Sequence, residues 1–155
     1  MKKMIFVCLL AILAVNGHAQ RGRASVGSHL GYALDCEAAT IGFDYRYHFL
    51  PDFRLAPSIT YMIRNNDVSA WYMDMDFHYM VPVSSIFSFY PIGGVGLSIW
   101  NWNGREGNDT RLGLNVGLGG ELRLTREISV GLDMKYNVVS TYDQALTAVR
   151  VAYHF

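Results

Sequence analysis

Lysine is almost missing from this chain: beyond the first three residues only Lys135 remains. Charged residues make up 17% of the sequence, where a soluble domain usually carries about 25%. No basic stripe appears, which argues against nucleic acid as a partner. Of the two cysteines, Cys8 and Cys36, only Cys36 lies outside the leader described below. One cysteine can form neither an internal disulfide nor a zinc site, and Cys36 reads as a small loop residue. After the leader no apolar run reaches the 18 residues expected of a membrane-spanning helix. The sequence offers no cofactor motif and no set of metal ligands.

The leader is residues 1–19. Lys2 and Lys3 precede an apolar stretch at 4–15, and Gly17, His18 and Ala19 supply small residues for cleavage after Ala19. This is the pattern of a cleaved secretory signal. The apolar stretch is too short to cross a bilayer as a helix, which takes about 20 residues. Removing Lys2 and Lys3 leaves 11 basic residues against 13 acidic ones, a formal charge of −2. Residues 20–155 then form one domain.

What is present is alternation with period two, the mark of strands with unlike faces. In residues 70–81, Trp71, Met73, Met75, Phe77, Tyr79 and Val81 share one face; Tyr72, Asp74, Asp76, His78 and Met80 share the other. Residues 128–138 repeat the pattern, with Asp133 and Lys135 among the polar set. Residues 41–49, 112–124 and 146–155 follow it, and weaker segments at 24–34, 54–63 and 87–100 bring the total to eight strands. A tilted membrane strand needs about 9 to 11 residues. Turns at 50–53, 82–86 and 125–127 read as short. The connections at 35–38, 64–69, 101–109 and 140–143 form a second, longer set, with 101–109 the longest.

Alternation alone does not say which face looks outward. A soluble barrel points its apolar face inward; a membrane barrel inverts this, and must close because the bilayer core cannot satisfy an open edge. Three features favour inversion. Charge scarcely interrupts the apolar face. Aromatic residues gather at two levels, as interfacial girdles do: Tyr47, Phe49, Phe53, Tyr79, Phe87, Phe89, Tyr153 and Phe155 near the short turns, and Tyr32, Tyr61, Trp71, Trp100, Trp102 and Tyr142 near the longer connections. The polar face carries both signs of charge, Asp44, Asp74, Asp76, Glu121 and Asp133 against Arg46, Arg54, Arg123, Lys135 and Arg150. Buried charges must be paired, and eight strands enclose only enough space for side chains. The expected architecture is therefore an all-β, eight-stranded antiparallel up-and-down transmembrane barrel with a filled polar interior. Gly27, Gly31, Gly42, Gly94, Gly96, Gly113, Gly117 and Gly131 would make room for longer side chains. Arginines across the lumen would neutralise Asp74 and Asp76.

These residues resemble the small outer-membrane barrels of the OmpA/OmpX type, and within them the porin-like outer membrane protein beta-barrel domain group common in Bacteroidetes. The C-terminal strand carries the most specific likeness. Val149, Val151, Tyr153 and the terminal Phe155 alternate with Arg150, Ala152 and His154, and the family's assembly machinery reads such a strand. The Ala19–Gln20 junction also looks like a cleavage site of that phylum. The resemblance implies a Gram-negative outer-membrane location with both termini periplasmic. Its implied partners are membrane lipid and the barrel-assembly machinery; the sequence identifies no extracellular partner. Catalysis is not expected. Some barrels of this size are lipid-modifying enzymes with a His-x-Ser pair, but here Ser28 and His29 are adjacent and point to opposite faces. The expected role is structural or surface interaction without an open pore. A narrow channel for small solutes is the alternative, and a lipid-modifying enzyme or a soluble ligand-binding barrel is a weaker one.

Overall fold

The computed structural model describes residues 24–104, 107–139 and 143–155; the leader, Arg105, Glu106 and Tyr142 lie outside them. The described chain forms β1 (Ala24–Ala33), β2 (Ala38–His48), β3 (Phe53–Asn65), β4 (Val68–Tyr79), β5 (Val81–Pro82), β6 (Phe87–Trp102), β7 (Asn108–Arg123), β8 (Ile128–Val138) and β9 (Gln144–His154). Each long strand pairs antiparallel with its sequence neighbours, β4 pairs with β6, and β1 pairs with β9. The sheet is thus closed into an eight-stranded up-and-down barrel, with β5 as a short addition. Ser25 lies opposite His154, so both ends of the described chain sit at one end of the barrel.

The ninth strand has its cause on the strand beside it. His78 faces Ile92 and Val81 faces Phe89 in one continuous register, so β5 continues β4 after a break. The break at Tyr79 and Met80 falls opposite Tyr90 and Pro91. Proline has no N–H to give a ladder, and the Met80 N–H instead donates to the Asp52 carbonyl at 2.6 Å. Pro57 leaves a similar gap: β2 and β3 pair on either side of it, at Asp44–Ser58 and at Tyr47–Leu55, but not between.

The expected contrast between short and long connections is not what the strands leave. At the end away from the termini, β3 and β4 are joined by Asn66 and Asp67 alone, with φ of 47° and 66°. Two left-handed residues make the tight turn whose twist suits a hairpin, and Asn and Asp tolerate that conformation. β6 and β7 extend to Trp102 and from Asn108, so the anticipated 101–109 loop is narrowed to the residues between those two. Both ends mix polar and apolar residues: Leu50, Val83, Ile86 and Leu124 are exposed in the turns at the terminal end beside Asp52, Arg126 and Glu127, and Asp35, Glu37, Asn66, Asp67 and Asn103 occupy connections at the other beside exposed Leu34.

The faces are inverted as expected. Leu112 is 74% exposed, Phe43 61% and Met134 59%, while Arg54 and Arg150 are fully buried. A continuous apolar exterior of this kind is not stable in water and suits hydrocarbon. Replacing outward Met75 by Arg should cost about 2–4 kcal/mol in equilibrium unfolding from lipid vesicles, against about 0–1 kcal/mol for the rim residue Val83→Arg. Equal costs would contradict this orientation of the faces.

Candidate functional site: the charged lumen

Odd-numbered residues of β1, β7 and β8 and even-numbered residues of β2, β3, β4, β6 and β9 point inward, which brings side chains far apart in sequence into one lumen. Toward the terminal end three arginines and three acids interlock. Arg46 donates to Asp44 at 2.8 Å and Asp133 at 2.5 Å. Arg54 donates to Glu121 at 2.9 Å. Arg150 donates through Nε to both Asp44 oxygens, at 2.8 and 2.7 Å, and lies 3.7 Å from Glu121. Tyr90 is the centrepiece: its hydroxyl accepts from Arg46 at 2.9 Å and donates to Asp133, His78 stacks on its ring at 4.8 Å, and the Arg54 guanidinium lies 4.7 Å above it. Such stacking is attractive because the ring face is electron-rich.

Nearer the middle, Lys135 reaches Asp74 at 2.5 Å and Asp76 at 2.9 Å. The Asn115 amide donates to Asp76 at 2.7 Å, and Asn137 donates to Asn115. The paired acids therefore share a lysine on β8 and are not met by arginines. Only a long side chain on the opposite wall at the same depth can reach both carboxylates, and that position holds Lys135. Between the two groups lies a cavity of about 60 Å³ bordered by His29, Asp44, Arg46, Asp76, Asp133 and Lys135, which is room for a few waters.

The glycines act only partly as anticipated: Gly27, Gly42, Gly94 and Gly96 lie against long or polar side chains, whereas Gly117 and Gly131 lie closest to neighbouring backbone, and Gly119 joins the first group. A Cβ on Gly27 would stand 2.6 Å from Arg150 Nε, and one on Gly119 would fall on the Tyr90 ring. Without these glycines neither bulky group could lie flat against the wall.

Three expectations need correction. Arg123 is on the inward side but at the last residue of β7, where it is exposed at the barrel mouth; it is not part of the buried network. Trp100 and Trp102 do not belong to the outer girdle. They follow the even, inward parity of Ser98, and Trp100 is 2% exposed. Trp100 instead joins Met62, Tyr72, Leu146 and three alanines in an apolar plug across the end remote from the termini, with Tyr72 edge-on to it at 5.9 Å. The interior is thus polar through most of its depth and apolar at that end. Continuing the parity from Val95 through Trp102 would have revealed the plug; bulk alone suggested a girdle. Among the described residues the remaining girdle aromatics face outward. Tyr61 and Trp71 pack at 4.6 Å near the plug end, and Phe53 and Tyr79 at 5.1 Å near the termini. Val149, Val151, Tyr153 and Phe155 lie on the exposed face at the C-terminal end.

Sequence reading also missed a serine–histidine contact. Ser129 Oγ is 2.7 Å from His154 Nε2, with Glu121 Oε1 3.7 Å from the same nitrogen. A catalytic triad uses opposite ring nitrogens for nucleophile and acid, and Ser129 is fully buried. Cys36, in the 34–37 connection, contacts the Gln144 amide at 3.1 Å. Burial, and then the adjacent Asp35 carboxylate, push its thiol above the ordinary value, which leaves little reactive thiolate.

The chain matches the family model described as "Outer membrane protein beta-barrel domain" over residues 6–155. No curated protein matches it in sequence. Among solved structures it is similar to the N-terminal β-barrel domain of Pseudomonas aeruginosa OprF, at 16% identity and a TM-score of 0.74, covering 88% of this chain and 100% of that one. Neisserial surface protein A is similar at 16% identity and a TM-score of 0.67, covering 85% and 94%. Ail, the attachment invasion locus protein of Yersinia pestis, is similar at 15% and 0.60, covering 85% and 96%.

Glu121 accepts from Arg54 and lies within 4 Å of Arg46 and Arg150. Removing one member of a buried ion pair strands the others, at about 3–5 kcal/mol. Glu121→Ala should lose about that much in equilibrium unfolding, and adding Arg54→Met should recover part of the loss, as expected for coupled partners.

Proposed function

This chain belongs to the outer membrane protein beta-barrel domain family, and we propose that it serves in the outer membrane as a sealed, non-catalytic barrel with a structural or surface-interaction role. The observation that carries this reading is the filled interior. The arginine–carboxylate group, the Lys135 group and the Trp100 plug occupy successive levels of the lumen. A solute crossing it would have to break buried ion pairs and then displace a packed apolar layer.

Membership of the family supports an orientation with both termini, which lie at one end of the barrel, on the periplasmic side. The connections bearing Asp35, Glu37, Asp67 and Asn103 then face outward, and the 34–37 and 66–67 connections among them are short. The outward Val149, Val151, Tyr153 and Phe155 suit recognition by the barrel-assembly machinery, and the leader suits export to it. Catalysis has less support. PagL, an outer membrane enzyme, shares the fold at 10% identity and a TM-score of 0.53, covering 84% of this chain and 98% of that one, but likeness at that level speaks only to architecture. The Ser129–His154 pair lacks both access to lipid and the geometry of a nucleophile and its base.

Purified barrel in planar bilayers should give no steady current, whereas Tyr72→Ala combined with Trp100→Ala, which thins the plug, should give a detectable one. A steady ohmic current from the unaltered protein would replace this reading with a narrow solute channel. Deleting Phe155 should prevent assembly in cells, seen as loss of the heat-modifiable gel shift of the folded form.

A further inference from the structure

The outer wall of the barrel is not evenly clad. Even-numbered residues of β7 point outward, and Leu112, Leu114, Val116, Leu118 and Leu122 each put a branched side chain there. Gly120 interrupts the series. In register it lies between Phe89 of β6 and Leu132 of β8, with Val149 of β9 next in the row, so bulky outward side chains flank a bare position. The result is an apolar groove whose floor is the backbone of Gly119, Gly120 and Gly131 and whose walls include Phe89, Leu118, Leu132 and Val149. Phe87 leans over the same spot, with ring carbons 3.2 and 3.3 Å from where a Cβ on Gly120 would stand. An unfilled dent forfeits dispersion contacts on one side.

The groove runs out toward charge. Leu122 and Val130 line it at the terminal end, and between them lie Arg123, the last residue of β7, and Arg126 in the turn that follows, both exposed. The other two turns of that end carry no base: 49–52 holds Asp52, and 83–86 holds Val83, Ser84, Ser85 and Ile86. Among the described residues the exposed arginines of that end are thus gathered at the mouth of this groove. Glu127 sets one carboxylate against them, and the turn keeps a net positive charge.

We propose that the groove over Gly120 holds one anionic phospholipid of the leaflet at the terminal end, with an acyl chain along the groove and the phosphate at Arg123 and Arg126. Guanidinium groups bind phosphate through paired N–H donors. Inside hydrocarbon neither partner gains from leaving water, so packing into the dent and charge at its mouth supply the preference. A flexible chain can follow the floor, whereas the convex wall of a second barrel would rest on Phe89 and Leu132 and leave the floor empty. The site rests on the membrane setting proposed above and is independent of whether the lumen is sealed.

Native mass spectrometry of the barrel released from vesicles of equal parts phosphatidylglycerol and phosphatidylcholine tests this. The unaltered protein should retain one phosphatidylglycerol in preference to phosphatidylcholine. Gly120→Leu, which fills the groove, should lose the retained lipid. Gly93→Leu, at an outward glycine of β6 with open space around it, should keep it. Arg123→Gln and Arg126→Gln, at exposed positions that the fold does not depend on, should each lower the preference for phosphatidylglycerol by about fivefold, and Glu127→Gln should raise it. The heat-modifiable gel shift checks that each variant is folded. Equal retention of the two lipids, or retention that survives Gly120→Leu, would overturn the site while leaving the membrane reading intact. A dimer mass captured by cross-linking through Val130→Cys would overturn it in favour of a second copy of the chain. Failure of the unaltered barrel to enter the vesicles would overturn the site and the membrane setting together.

Discussion

Every charge in the body of this barrel has to find its partner inside, because the outside gives it nothing. Hydrocarbon cannot solvate an ion, and an eight-stranded cylinder has room for side chains and little more. That pair of constraints explains features that otherwise look unrelated. Arg54 and Arg150 can be fully buried because Glu121 and Asp44 meet them directly. Tyr90 lies flat across the lumen because Gly119 has no Cβ to lift its ring. From there it can take a hydrogen bond from Arg46, give one to Asp133 and present its face to Arg54. Glycine on one strand and a long polar side chain on its neighbour are two halves of one solution.

Much of this was legible from parity alone, since a single rule of two-residue alternation sorts inward from outward positions on a strand. β8 falls on the residues that the alternation marks, and the inward placement of Asp44, Asp74, Asp76, Glu121, Asp133, Lys135 and Arg150 follows from it. The errors arose where something other than parity was consulted. Trp100 and Trp102 were assigned by bulk, although Val95, Leu97 and Ile99 already fixed the outward set of β6. Arg123 has the right parity but the wrong depth, and depth depends on where a strand ends. That in turn depends on the turn after it, which the alternating pattern does not encode.

Partner choice was the other part hidden from the sequence. Alternation says that Asp74 and Asp76 look inward; it does not say which wall they meet or at what height. The staggered register of the closed sheet decides that, and it sets Lys135 opposite the two acids while the arginines cluster a level away. The break that separates β4 from β5 was likewise invisible to hydrophobic pattern. It follows from Pro91 lying on the neighbouring strand, a long-range effect of a missing N–H.

The seam between β1 and β9 joins the first strand of the cylinder to the last. Until Tyr153 and its neighbours are in place, the strand beginning at Ala24 has one unsatisfied edge along its whole length, and so has whichever strand is then last. A wall that lacked its last strand would leave two unpaired edges, which the bilayer core does not satisfy, so the integrity of the whole cylinder hangs on one seam that joins residues more than a hundred positions apart.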